Sequence, residues 1–290
     1  MSKKYLIFGQ ARSGTTSLSC CLNYEGYNGT RLIHEPTCIK TGERHLVEPY
    51  TQKLNFATSF PDNYSCPPEE FPHPQFHNPW DLSLKEKKKC YSFLDLLYSK
   101  YDGIKHIWGN NCYQSNFNII DYVLENDVSL IFIYRRNQFD HYKSIHVTNS
   151  AGIFQMTDDG LRKEAVEKTR GRLNSIDEFP NIPLDHALTH VERVVKSLKI
   201  FWEKIKIYNN AYHLTYEDFY NSKNIEIEFK KIWNFLKLDS TKMNHDLFEK
   251  VMGNKNVKLV NEEVSSKIPN IEDYNNLYKQ YPDFADFHLK

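Results

Sequence analysis

The amino-terminal stretch KKYLIFGQARSGTTSLSCCL constrains the fold more than any other part of this chain. Tyr5 to Gly9 is an apolar run of the length of one buried strand, and it stops at a glycine. Gly9-x-x-x-x-Gly14-Thr15-Thr16 follows, and then an apolar-periodic stretch that reads as a helix from about Gly14 to Gly26. Strand, glycine loop and helix in that order make a cradle for an anion. Glycines let backbone N–H groups turn inward, and the helix start adds partial positive charge toward the same point. In nucleotide hydrolases the residue after the second glycine is a lysine that meets the terminal phosphates, and the next hydroxyl holds magnesium. Here Thr15 stands in the lysine position and the loop's own cation is Arg12.

Four further runs read as strands: Arg31 to Glu35, Ile104 to Trp108, Ser129 to Arg135 and Ala211 to Tyr216. Helical patterns lie between them at Phe93 to Lys100, Asn116 to Glu125, Phe139 to Ile145 and Leu184 to Tyr208. In the last of these, Leu188, Val191, Val194, Val195 and Leu198 recur at helical spacing. Buried strands alternating with helices predict an α/β three-layer sandwich, with a central, mostly parallel five-stranded sheet and helices on both faces. A chain of 290 residues fits this plan as a single domain spanning 1–290. Two long insertions interrupt it, at about 37–92 and 146–183. The first gathers seven of the twelve prolines among aromatics, and the second carries the charged, helix-like LRKEAVEKTRGRL.

Composition excludes several function classes. Lys plus Arg and Asp plus Glu both total 37, so no net field draws the chain to nucleic acid or to an anionic membrane. No apolar run approaches the roughly 20 residues of a membrane span, and MSKKYLIFGQ reads as the first core strand, not as a signal peptide. The six cysteines form no CxxC pair, which points to free thiols in a reducing, cytoplasmic setting. The histidines are scattered: HEPTC lacks the geometry of a helix-borne HExxH, and HPQFH sits among prolines, so no metal site is expected. A GxSxG nucleophile elbow is also missing.

A second anion anchor stands far along the chain. The strand SLIFIYRR ends in Arg135 and Arg136, with NQFDHYKS after it, which places Ser144 on the next helix. A magnesium-dependent hydrolase would more naturally end such a strand with an acid. Arginine instead offers a planar fork for phosphate. Arg-Ser-Gly-Thr-Thr-Ser at 12–17 resembles the 5′-phosphosulfate loop of the sulfotransferases that use 3′-phosphoadenosine 5′-phosphosulfate (PAPS). Arg136-Asn-x-x-Asp with Ser144 is similar to that family's 3′-phosphate site. LTYEDFY and FKKIWNFLKLD are similar to its later Tyr-Glu-Asp-Leu and Phe-Leu-Gly-Leu segments. The match touches the first 20 residues, the middle of the chain and about 211–239.

The resemblance implies a P-loop fold, closer to carbohydrate-type than to phenol- or steroid-type members, with PAPS as co-substrate and no metal. By that match Arg12 and the loop residues Ser13, Gly14, Thr15, Thr16 and Ser17 hold the 5′-phosphosulfate, and Arg136 with Ser144 holds the 3′-phosphate. Tyr216, Glu217 and Asp218 are expected to be architectural. Arg135, which strand alternation turns away from Arg136, is expected in a structural ion pair; for Arg136 the competing reading is a salt bridge to Asp140. One element departs from the family: the late Arg-Lys-Gly-x-x-Gly string does not occur, and GNKNVKLV is a weak substitute through Lys255 or Lys258.

Sulfuryl transfer needs an in-line acceptor oxygen, a base for its proton and cations on the developing charge. RLIHEPT places His34 and Glu35 at a strand end and resembles the Glu-Pro element of carbohydrate sulfotransferases, so Glu35 is the expected base. The competing reading pairs Glu35 with Arg12. His34, His106 and Lys105 are the other candidates, although a lone strand histidine is more often a core residue. The expected catalytic set is Glu35, Arg12 and His106. The acceptor is expected to be a hydroxyl of a carbohydrate or small polar metabolite, with the two insertions building its pocket. Tyr50, Phe71, Phe76, Trp80 and Trp108 are candidates to stack on a sugar face. The alternatives are a P-loop kinase using ATP and magnesium, and a catalytically silent nucleotide- or glycan-binding protein.

Overall fold

Five strands pair in parallel in the order β2-β3-β1-β4-β5. They are β1 Tyr5–Gly9, β2 Leu32–His34, β3 Gly103–Ile107, β4 Ser129–Tyr134 and β5 Ala211–Thr215. The computed structural model describes residues 4–22, 32–36, 84–152, 163–220, 222, 224–238, 245, 248–249, 252 and 260–289. Each strand falls on one of the five apolar runs. The helices are α1 Thr15–Leu22, α2 Lys87–Tyr98, α3 Tyr113–Glu125, α4 Gln138–Ser150, α5 Lys163–Asn174, α6 Leu184–Ile205, α7 Tyr216–Tyr220, α8 Ile225–Phe235, α9 Glu262–Ser265, α10 Ile271–Gln280 and α11 Pro282–Ala285.

Strand alternation sorts the sheet residues between two layers of helix. Leu6, Phe8, Ile104, Leu130 and Phe132 turn to one face, where they meet apolar residues of α2, α3 and α6. Tyr5, Ile7, Ile131, Ile133 and Leu214 turn to the other, against α1, α7 and α8. The result is a three-layer α/β sandwich around an all-parallel sheet. Two boundaries differ most from the sequence reading. Helix α2 starts at Lys87, so its first turns lie in the run taken as the end of the first insertion. Lys and Glu are good helix formers, and the Lys87–Glu125 and Lys89–Glu86 ion pairs lie on that surface. Helix α4 runs on to Ser150, past Ile145 and into the expected second insertion.

A third apolar cluster joins α4, α5, the start of α6 and the segment 260–289. Tyr274 is buried at its centre and donates to the Phe139 carbonyl at 2.7 Å. Leu173, Phe179 and Ile182, from the expected second insertion, therefore pack as part of the body. Among the described residues no helix is long and apolar enough to cross a membrane.

The register decides where the site forms. Gly9, the last residue of β1, lies beside Ile107 of β3 and Ile133 of β4. The loops that follow β1, β2 and β4 thus leave the same carboxyl edge, with β1 between the two strands to which the chain crosses in opposite directions.

Candidate functional site

The loop after β1 needs left-handed backbone at two positions, Arg12 (φ 60°) and Gly14 (φ 79°). At Gly14 a Cβ would lie 2.1 Å from the ring of Tyr220, whose hydroxyl donates to the Gly14 carbonyl at 2.6 Å. Ser13 closes the turn, donating both its N–H, at 3.3 Å, and its hydroxyl to the Gln10 carbonyl. Helix α1 then begins at Thr15, and Leu18 N–H is the first to find a carbonyl, that of Gly14 at 3.1 Å. No acceptor among the described residues takes the amides of Gly14, Thr15, Thr16 or Ser17. Four free backbone donors thus stand together at the start of α1.

Buried polar side chains fix this loop to the start of α4. The Gln10 amide donates to Gln138 Oε1 at 2.9 Å and to His141 Nδ1 at 3.0 Å, while Gln10 Oε1 accepts Arg135 N–H at 3.1 Å. His141 donates from Nε2 to the Ala11 carbonyl at 2.8 Å, which leaves Nδ1 as an acceptor. The Gln138 amide donates to the Arg135 carbonyl. Glu217 of α7 takes the backbone N–H groups of Arg136 and Asn137, at 2.8 and 3.2 Å, and Asn137 caps α4 by accepting Asp140 N–H at 2.8 Å. Sequence reasoning missed Gln10, Gln138 and His141. A glutamine directly after a buried strand was the available signal, since a polar group there must find partners.

Two arginines meet at the loop. Arg135 is 6% exposed, its Nε donates to the Arg12 carbonyl at 2.7 Å, and its guanidinium lies 4.0 Å from the centre of the Tyr216 ring. Burial and the neighbouring charge of Arg135 bring the Arg12 pKa down to about 10, against a smaller opposing effect of Tyr216. Arg12 still carries its proton at neutral pH. No carboxylate among the described residues pairs with either arginine.

Arg136 behaves differently. It pairs with Asp218 at 3.0 Å and Asp286 at 3.4 Å, both carboxylates being more than half exposed. Asp140, the partner considered from sequence, instead holds Lys143 at 2.9 Å and the Tyr278 hydroxyl at 2.9 Å. The ion pair expected of Arg135 is therefore made by Arg136. The reason is alternation: Arg135 lies on the face of Ile133, where α1 and α7 pack, and Arg136 turns toward the carboxy-terminal segment. A cavity of about 270 Å³ opens between them, lined by Arg135, Arg136, Asn137, Tyr216, Glu217 and Asp286 among others. Ser144 is buried on α4, one turn beyond His141 on the side turned to the loop.

Glu35 directly follows β2 with left-handed backbone (φ 47°). Its N–H donates to the Lys105 carbonyl at 2.8 Å, and its carboxylate meets Lys105 Nζ at 2.7 Å. Both side chains are buried, at 10% and 4% exposure. Lys105 Nζ also donates to Thr16 Oγ1 at 2.8 Å. The partner of Glu35 is thus Lys105, not Arg12. Lys105 lies beside Ile7 in the register, so its side chain rises on the α1 face, and the ammonium missing after Gly14 arrives from the neighbouring strand.

His106 points to the opposite face. It has no exposure, lies 5.2 Å from the Phe8 ring centre, and its Nε2 is 2.7 Å from Asn116 Oδ1. Burial, only partly offset by Asn116 and the Glu35 charge, pulls its pKa down to about 4. Against the expectation of a catalytic role, His106 is a neutral histidine buried in the core on the sheet face opposite Lys105. Trp108 is buried against Phe201 and presents no face to a sugar. Tyr50, Phe71, Phe76, Trp80, Lys255, Lys258 and the side chain of His34 lie outside the described residues. Among the described residues no group of three or more His, Cys, Asp or Glu could hold a metal ion.

In comparisons with known proteins, no family model, no curated protein and no solved structure matches this chain.

Proposed function

We propose that this chain is a PAPS-dependent sulfotransferase acting on a hydroxyl of a carbohydrate or small polar metabolite. One observation carries the reading: Arg12 and Arg135 meet beside four free loop amides with no carboxylate partner among the described residues. Adjacent, largely desolvated cations without a counter-ion are unfavourable unless an anion completes the site. The ligand that satisfies them is a phosphosulfate or phosphate group bound end-on to α1.

The 5′-phosphosulfate of the donor sits on the amides of Gly14 to Ser17 between Arg12, Arg135 and Lys105. Arg136 and Ser144 serve the 3′-phosphate, with Arg136 exchanging its exposed partners Asp218 and Asp286 for the nucleotide. The acceptor oxygen attacks sulfur, an O–S bond forms, and the bond from sulfur to the 5′-phosphate oxygen breaks. 3′,5′-Adenosine bisphosphate (PAP) leaves with the electron pair. Glu35 takes the acceptor's proton, and the cations at the loop balance the charge growing on the leaving oxygen. A kinase using ATP and magnesium is the less favoured reading, because Glu35, the carboxylate beside the loop, is already held by Lys105. The free, buried Cys21 and Cys90 suit a cytoplasmic setting.

Calorimetric titration with PAP and with ATP–Mg tests the reading. PAP is expected to bind, and Arg12→Ala and Arg135→Ala are each expected to weaken it by about 10-fold or more, the size of a lost hydrogen bond to a charged group. Tight ATP–Mg binding with no response to PAP overturns the reading, as does unchanged transfer of labelled sulfate in Glu35→Gln and Arg12→Ala.

A further inference from the structure

The Glu35–Lys105 pair poses a problem for the function just proposed, on which this inference rests. A base clamped at 2.7 Å by an ammonium has its lone pairs engaged and is a poor proton acceptor. The same ammonium, however, already reaches the loop, at 2.8 Å from Thr16 Oγ1. Thr16 lies in the first turn of α1, and its backbone N–H is one of the free donors aimed at the anion. Lys105 Nζ thus already stands beside the residue whose N–H an incoming anion would take. Glu35 is kept in position meanwhile by its backbone bond to the Lys105 carbonyl at 2.8 Å, which the exchange does not break.

We propose that Lys105 is a donor-operated gate on Glu35: it holds the carboxylate while the loop is empty and turns to the loop anion when the donor enters, releasing Glu35 to take the acceptor's proton. Once the S–O bond to the 5′-phosphate breaks, the ammonium faces the charge left on that oxygen, while the acceptor's proton rests on Glu35. Departure of PAP returns Lys105 to the carboxylate, and the proton passes to solvent. The exchange makes base activation conditional on donor binding, so Lys105 acts both as a positioning residue for Glu35 and as a cation for the leaving group.

The gate has a signature that a merely structural ion pair lacks. Losing its ammonium to an incoming anion makes the Glu35 carboxylate more basic, so donor-site binding draws a proton from solvent. Among the described residues, two titratable groups sense Glu35. Lys105 reaches it from β3, and His106, which senses its charge from beneath the sheet, stays neutral with a pKa of about 4. His34 is its neighbour in the chain.

The test titrates PAP into the full chain by calorimetry at several pH values between about 5 and 7, across the range from carboxylate to histidine titration. Two buffers of different ionisation enthalpy give the number of protons exchanged. The wild type is expected to take up more protons than Glu35→Gln, the nucleotide's own phosphates titrating alike in both. Lys105→Met, in which Glu35 has no ammonium to lose, is expected to show the same reduced uptake, and His34→Gln to keep the wild-type value. PAP binding with equal proton exchange in wild type and Glu35→Gln overturns the gate but leaves the donor site standing, as does loss of the uptake in His34→Gln alone. Absence of PAP binding in the wild type overturns both.

Discussion

His106 makes the chain sensitive to mild acid, because its ring is buried without exposure and its folded pKa of about 4 lies below the ordinary 6.5. As pH falls, the unfolded chain binds the proton first. The stability linked to this ring is intact above about pH 6.5, declines between 6.5 and 4 by about 1.4 kcal/mol per pH unit, and falls no further below that window. Urea denaturation at about pH 7 and pH 5 is expected to show this loss in the wild type and a smaller one in His106→Gln. An unchanged pH slope in the variant would mean that other groups carry the effect. The same residue shows what one position of alternation decides. Lys105 and His106 are adjacent on β3, yet the first reaches the loop after β1 and the second the core.

Helix α7 is short, but each of its polar residues holds a different part of the site. Tyr216 supports the Arg135 guanidinium, Glu217 accepts two amides at the start of α4, Asp218 pairs with Arg136, and Tyr220 holds the Gly14 carbonyl. A carboxylate at a helix start also meets the positive end of its dipole. Glu217→Ala leaves the Arg136 and Asn137 amides without their acceptor and is expected to cost about 2–3 kcal/mol, measured by denaturation. Because Arg135 immediately precedes these residues, PAP affinity is expected to fall with it, while Glu217→Gln, which retains one acceptor oxygen, restores part of both. A variant as stable as the wild type would show that water replaces the carboxylate at no cost.

At the scale of the molecule, α6 spans two cores. Val194, Val195, Leu198 and Phe201 pack under the sheet, and Ala187 and Val191 pack in the third cluster with α4 and the carboxy-terminal helices. A strut shared in this way couples the parts, so the chain is expected to unfold in one cooperative transition. Tyr274→Ala removes a fully buried ring far from the sheet and is expected to shift that whole transition by about 3–5 kcal/mol. A separate early transition in calorimetry would show instead that the cluster around Tyr274 melts as an independent unit.

The chain order of strand, glycine loop and helix, the five apolar runs and the presence of arginine after β1 and β4 were all legible in the sequence, because each is written in local periodicity and turn chemistry. Alternation even implied that Arg135 and Arg136 face opposite ways. Which of them meets the loop was decided only by tertiary structure, since that depends on which sheet face α1 and α7 cover. The same holds for Lys105 reaching Thr16 across 89 positions and Gln10 reaching His141 across 131. A residue's face is a local property of its strand. Its partner is fixed by strand order and register, which depend on how the intervening helices pack and leave no mark on the residues beside it.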